Sequence, residues 1–214
     1  MDIINTIHAN PIIYLIWIVI FSLLIGSFLN VIIYRIPIML EKETKAFCEE
    51  YLAEDSALEK EETVFNITWP LSRCNACNKT LKPWHNIPVI SYLCLRGKCA
   101  YCKVNISPRY PLIELLCCLL TTYVAWHFGF TWQALAAMVF TWFLIALTFI
   151  DIDHKLLPDN LTLSLLWVGL FVSLFSIFVF PYTAIIGALV GYLVFWVFAY
   201  LFKLITGKEG LGFG

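Results

Sequence analysis

The sequence predicts an all-α polytopic membrane protein: about five transmembrane helices, with a cytoplasmic four-cysteine zinc-binding domain between the first and the second. Three observations predict it. The 214 residues are 61% hydrophobic and 14% charged, where a soluble domain is about half apolar and a quarter charged. The apolar residues fall into runs close to the ~20 that a helix needs to cross ~30 Å of hydrocarbon. The long polar stretch between the first two runs holds two Cys-x-x-Cys pairs.

The first run is 12–33. A cleaved signal peptide is the rival reading, but nothing basic precedes the run and its core exceeds the usual ~7–15 residues of such a peptide. Four more runs follow at 112–128, 132–150, 161–180 and 184–205. The second is the shortest and contains Glu114. All 14 Lys and Arg lie in 35–109, at Lys155, or in 203–208. With five spans these places share one side, and the excess of basic residues makes that side cytoplasmic with the N-terminus outside. The net charge of −1 gives no case for a nucleic-acid partner. Three parts result: 1–36, an N-terminal transmembrane helix; 37–110, a cytoplasmic zinc-binding domain; and 111–214, a four-helix transmembrane part.

Within the cytoplasmic part, 41–62 carries nine acids against three lysines and reads as a solvated helix, with a basic partner site as the alternative. Beyond it stand Cys74 and Cys77, then Cys99 and Cys102, with 21 residues between the pairs. Each pair offers two thiolates on one turn, and two such turns close a tetrahedral zinc shell. A cytosolic setting argues against disulfides. Four thiolates leave no open position for water, so this zinc is structural and the metalloprotease class recedes. Cys48, Cys94, Cys117 and Cys118 belong to no motif; the last two suit small apolar packing.

The acidic corner is 148–159, TFIDIDHKLLPD. Asp151 and Asp153 stand where one apolar run ends and before the next begins, and carboxylates at the mouth of a span are costly to keep there. Asp153 has an ordinary role open to it, pairing with Lys155, and Asp159 after Pro158 suits a turn or helix cap. Asp151 has no such partner in sequence. One carboxylate cannot run aspartyl proteolysis, which uses a pair sharing a proton. His85, His127 and His154 have no ligand-like spacing.

Five stretches together resemble one family: GSFLNVIIYRIP at 26–37, the two cysteine pairs, RYPLIELL at 109–116, TFIDIDHKLLPD at 148–159 and KEGLGFG at 208–214. The chain resembles the bacterial type IV prepilin peptidases, bifunctional leader peptidases and N-methyltransferases of the GxGD aspartyl class. The resemblance implies that Asp151 is the first catalytic aspartate and that the second follows directly after Gly214. It implies about eight spans in the whole enzyme, so the stretch given is expected to be part of a longer chain and inactive alone as a protease. It further implies cleavage of prepilin and pseudopilin leaders after a glycine in the bacterial inner membrane, then methylation of the new N-terminus by S-adenosylmethionine. Gly97, in the turn before the second cysteine pair, is linked by the resemblance to methylation. Glu114 suits an interfacial or packing role near Arg109, with a methyl-transfer or peptidase role as the alternative. Asp153 is a further candidate for a methyl-transfer or supporting role, and Asn30 and Arg35 belong to the first matching motif.

Two other classes stay open at this point. One is a non-catalytic membrane scaffold whose zinc domain binds a pilus or secretion partner. The other is a transporter coupling ions through Glu114 and Asp151, which lacks the broken helices expected of one.

Overall fold

The computed structural model describes residues 10–52, 66–67, 73–74, 76–82 and 87–207. The later part of the acidic stretch, His85 and the glycine-rich run 208–214 lie outside the described residues. Six helices occur among the described residues: α1 Pro11–Leu52, α2 Ile90–Cys94, α3 Arg109–Phe128, α4 Trp132–His154, α5 Asp159–Leu174 and α6 Pro181–Thr206. Extended pairing among them is limited to two isolated antiparallel bridges, Arg73 with Thr80 and Lys98 with Asn105.

Four helices, α1, α3, α4 and α6, are long and apolar enough to cross a membrane. The run expected to span at 161–180 is helical only as α5, 16 residues long. At ~1.5 Å per residue that is ~24 Å, less than the ~30 Å of hydrocarbon. The apolar residues 175–180 then turn the chain into α6.

α1 differs most from expectation. It has 42 residues, and it runs straight through the 36/37 boundary that the sequence suggested. Pro37 lies inside it, where a proline normally removes a hydrogen bond and ends a helix. Beyond Pro37 come strong helix formers, and Lys45 Nζ reaches Glu41 Oε1 four residues earlier at 2.6 Å, which favours continuation.

The core is a three-helix arrangement of α1, α3 and α4. At the end near the cysteines, Leu29 and Ile33 of α1 meet Ile113 and Cys117 of α3 and Ile145, Ala146 and Ile150 of α4. At the other end Tyr14, Ala125, Ala134 and Met138 form a second cluster. Hydrogen bonds cross between the helices. Trp142 Nε1 donates to Thr121 Oγ1 at 2.9 Å, and the Tyr14 hydroxyl donates to the Gly129 carbonyl at 3.1 Å. Such bonds contribute about 0.6 kcal/mol each within a membrane, up to ~1.7. The Thr131 hydroxyl caps α4 by accepting from the Ala134 amide at 3.1 Å, as a helix N-cap does. α6 buries none of its residues, so it is apolar all round and faces lipid or further protein.

Gly26 sets the spacing of α1 and α3. A Cβ there would lie 2.8 Å from Glu114 Cα and 3.2 Å from Cys117 Cβ. The first contact is backbone and cannot swing away. Gly26→Ala is therefore expected to destabilise the protein by ~1–3 kcal/mol, as overpacking does. Thermal unfolding in detergent reads this as a lowered Tm; an unchanged Tm contradicts the close approach.

Candidate active site and metal centre

The two cysteine pairs fold as twin turns. In the first, the Cys74 amide donates to Lys79 O at 3.0 Å and the Asn78 amide to Cys74 O at 2.8 Å. In the second, the Cys99 amide donates to Val104 O at 2.8 Å and the Lys103 amide to Cys99 O at 3.1 Å. The residue after each pair, Asn78 and Lys103, has φ of 54° and 60°. This repeated left-handed step turns the chain back on itself, so that Lys79 O and Val104 O reach the Cys74 and Cys99 amides. Lys79 of the first turn lies over the Tyr101 ring of the second, 5.5 Å from its centroid.

The four Sγ atoms of Cys74, Cys77, Cys99 and Cys102 all lie within 4.8 Å of one another, and Cys74 and Cys102 are 3.7 Å apart. A tetrahedral zinc with bonds of ~2.3 Å needs sulfurs ~3.8 Å apart, so the residues present fit that ion. Backbone amides of Cys77 and Ala76 pull the Cys74 thiol down to about 6, which favours the thiolate a metal needs. At Cys102 the Val104 amide acts in the same direction. Desolvation and the hydrogen bonds of Cys99, Cys74 and Cys77 outweigh it and push the thiol up to about 11. A cation among the sulfurs would relieve that crowding. The shell is all thiolate, so an ion held there would be structural.

The segment 87–108 carries the second cysteine pair and leads into the membrane helix that starts at Arg109. Gly97 has φ +68°, and a Cβ there would lie 2.9 Å from the Tyr92 hydroxyl. Its amide donates to Tyr92 O at 2.9 Å and its carbonyl accepts from the Ile106 amide at 2.7 Å. Only glycine meets both the backbone and the space requirement. At the start of α2, Val89 has φ 56° and ψ −49°, and the Ile90 amide reaches back to Pro88 O at 2.5 Å. This is a γ-turn of the rarer hand on a β-branched residue, a conformation that costs ~1–3 kcal/mol. The Val89 amide donates to Glu114 Oε2 at 2.8 Å.

Glu114 is therefore not an exposed interfacial carboxylate. It is 8% exposed, and the side chains of Ser27 and Asn30 also hydrogen-bond to it. Asn30 Nδ2 donates as well to Tyr110 O at 3.1 Å, and Arg35, 8% exposed, donates from Nη1 to Asn66 O at 2.9 Å and Ile67 O at 3.1 Å. The polar residues of 26–35 thus fasten α1 to α3 and to the strand of chain leading into the first cysteine turn.

The acidic corner forms the last turn of α4. Ile150 is fully buried, and Asp151, one residue further round the helix, is exposed. Lys155 adopts the left-handed conformation, φ 52°, and its amide closes the helix on Asp151 O at 2.9 Å. Asp153 pairs across to α3 rather than with Lys155: Arg109 Nη1 meets Oδ1 at 2.6 Å and Nη2 meets Oδ2 at 2.5 Å. The guanidinium also stacks 5.4 Å from the Phe149 ring centroid. Negative charge in a last turn opposes the helix dipole. Arg109 offsets it at Asp153, and no described residue does so at Asp151. His127 lies at the far end, stacked on Tyr123 at 6.3 Å between centroids.

The sequence offers Lys155 for Asp153 and the neighbourhood of Arg109 for Glu114; in the structure Arg109 holds Asp153, and Glu114 takes Val89, Ser27 and Asn30. Val89 carried no signal, because a backbone amide has none. Gly26 was legible only as part of a matching stretch.

Comparison with known proteins gives a consistent picture. Residues 20–128 match the bacterial peptidase A24 N-terminal domain, and residues 138–214 match the type IV leader peptidase family. A prepilin leader peptidase/N-methyltransferase of Stutzerimonas stutzeri is 50% identical over 206 residues, covering 96% of this chain and 71% of that protein. One of Pseudomonas aeruginosa is 46% identical over 214 residues, covering 100% of this chain and 73% of that protein. One of Aeromonas salmonicida is 48% identical over 207 residues, with 97% and 71% covered. No solved structure matches the chain. The chain is an integral membrane protein that belongs to the type IV leader peptidase family.

Proposed function

We propose that this chain carries the leader-peptidase and N-methyltransferase activities named for its relatives. It cuts the basic leader of a prepilin after a glycine and methylates the new N-terminus from S-adenosylmethionine, serving type IV pilus assembly and, with pseudopilins, type II secretion. The observation that carries the reading is Asp151. It is exposed at the mouth of α4, while its neighbour Asp153 is held by Arg109.

In the peptidase step two carboxylates share a proton. One takes a proton from water as that water attacks the scissile carbonyl, and the other protonates the carbonyl oxygen. Asp151 is one member, and the other is expected directly after the GLGFG run. Arg109 and Asp153 hold the last turn of α4. Cys74, Cys77, Cys99 and Cys102 would hold a zinc ion that braces the loop module, with no open position for peptide cleavage. Gly97 shapes the turn associated with methyl transfer.

The protein sits in the bacterial inner membrane with the module and Asp151 on the cytoplasmic side and the N-terminus outside, an orientation supported by the basic residues at 35–109, Lys155 and 203–208. Here the basic leader of a single-span substrate also remains, and its apolar stem lies among the helices in lipid. The three parts 1–36, 37–110 and 111–214 then act as anchor, brace and peptidase, with α1 joining the first two.

The test is mass spectrometry of a prepilin incubated with the full-length enzyme in detergent. Cleavage after the glycine, with a methyl group added only when S-adenosylmethionine is supplied, is expected. An intact prepilin, with zinc-loaded folded enzyme present, contradicts the reading.

A further inference from the structure

We infer that Glu114 is a positioning residue that, through the Val89 amide, seats the cysteine module on the α1–α3 pair, beside the start of α3 whose Arg109 holds the helix end that carries Asp151. This rests on the proposed peptidase reading for its consequence, though not for its geometry.

The module touches the membrane helices through few groups. Its described residues bury little: only Pro88, Gly97 and Cys99 are buried. Packing alone therefore does not fix its place on the bundle, and polar ties do: Arg35 holds the chain at Asn66 and Ile67, and Glu114 holds it at Val89. Its carboxylate takes the Val89 N–H at 2.8 Å, and its backbone is pressed against Gly26, with 2.8 Å from an ideal Cβ to Glu114 Cα. The residue thus joins α1, α3 and the module at one point. Val89 reaches it only by adopting a positive φ of 56°, which a β-branched residue avoids unless its surroundings require it. From Val89 the path is short. α2 leads to Tyr92, Tyr92 to Gly97 by the 2.9 Å amide bond, and Gly97 to the exit at Ile106 by the 2.7 Å bond.

The exit runs directly into Arg109, whose guanidinium holds Asp153, two residues from Asp151. The module is thus tied down on both sides of the first turns of α3. Released at Glu114, it keeps its ties at Arg35 and at the exit into Arg109 but loses its fixed position relative to α3, and with it the surroundings of the α4 end that Arg109 holds. Such a change alters how substrate reaches the site more than how the carboxylate reacts.

The experiment uses the full-length enzyme with Glu114→Asp and Glu114→Gln, zinc content measured in each. Aspartate is one methylene too short to reach the Val89 amide, while glutamine keeps an acceptor oxygen at the same reach. Glu114→Asp is expected to speed hydrogen exchange in 87–95 about tenfold or more, the effect of leaving a buried amide without its acceptor. KM for prepilin cleavage is expected to rise about tenfold, with kcat per zinc-loaded enzyme changed less than about twofold. Glu114→Gln is expected to restore most of both. A variant that is merely less stable loses active fraction, and so apparent kcat, at constant KM. Unchanged exchange in Glu114→Asp overturns the proposal, as does faster exchange with unchanged KM. If wild-type enzyme cleaves no prepilin, the peptidase reading fails instead, and the exchange result still decides whether Glu114 seats the module.

Discussion

Stripping the metal from the four-cysteine cluster, by a strong chelator or by Cys99→Ser, is expected to unfold the module and leave the membrane helices folded. The reason is the shortage of any other source of stability. Among the described residues of the module only Pro88, Gly97 and Cys99 are buried, and its regular structure is two single bridges and the five-residue α2. Structural zinc contributes ~10–16 kcal/mol of apparent folding free energy in small cysteine modules. Nothing in the described loops approaches that by burial. α3 and α4 draw on the buried clusters instead. Trypsin reads the difference, since Arg96, Lys98 and Lys103 are all exposed and would be cut once the turns loosen. Rapid cleavage there after chelation, with α3–α6 still protected, is the expected pattern. An unchanged digest would show that the module does not depend on metal.

The cysteine cluster was legible because its signal is chemical and local: ligand type and spacing fix the site before any fold is known. The membrane helices were legible for a similar reason, as lipid demands long apolar runs. Their ends were less so. α1 passes Pro37 because the loss of one hydrogen bond there is set against a helix-favouring sequence on its far side. α5 ends at Leu174 although the apolar run continues, since apolarity alone does not distinguish helix from an apolar turn. The partners of Glu114 and Asp153 were not legible. Both bonds join residues far apart in sequence, Val89 with Glu114 and Arg109 with Asp153, and depend on how α3 sits between α1 and α4. A local reading finds Lys155 first, because it is near in sequence, yet its backbone is committed to ending α4.

The second large effect concerns Asp151. Asp151→Asn is expected to lower leader cleavage by ~10³-fold or more, as the loss of one member of a cooperating catalytic set does. The fold should be untouched. The side chain is exposed, and the residue's recorded role in ending α4 is made by its backbone carbonyl, which asparagine retains. Asparagine cannot take or give the shared proton, so the loss falls on the chemical step. Asp153 offers the opposite case two residues away. Its carboxylate is bound by Arg109 in a half-exposed pair, with side-chain exposures of 25% and 38%. Such pairs contribute about 1 kcal/mol or less. Asp153→Asn loosens one turn of one helix and removes no reacting group.

The most direct measurement is therefore prepilin cleavage by full-length Asp151→Asn and Asp153→Asn enzymes beside the wild type, with zinc counted in all three. Cleavage lost only in Asp151→Asn, reduced about tenfold or less in Asp153→Asn, and zinc equal throughout is the result predicted. Cleavage retained in Asp151→Asn, or lost equally in both, would contradict the division between the reacting aspartate and the one that Arg109 holds.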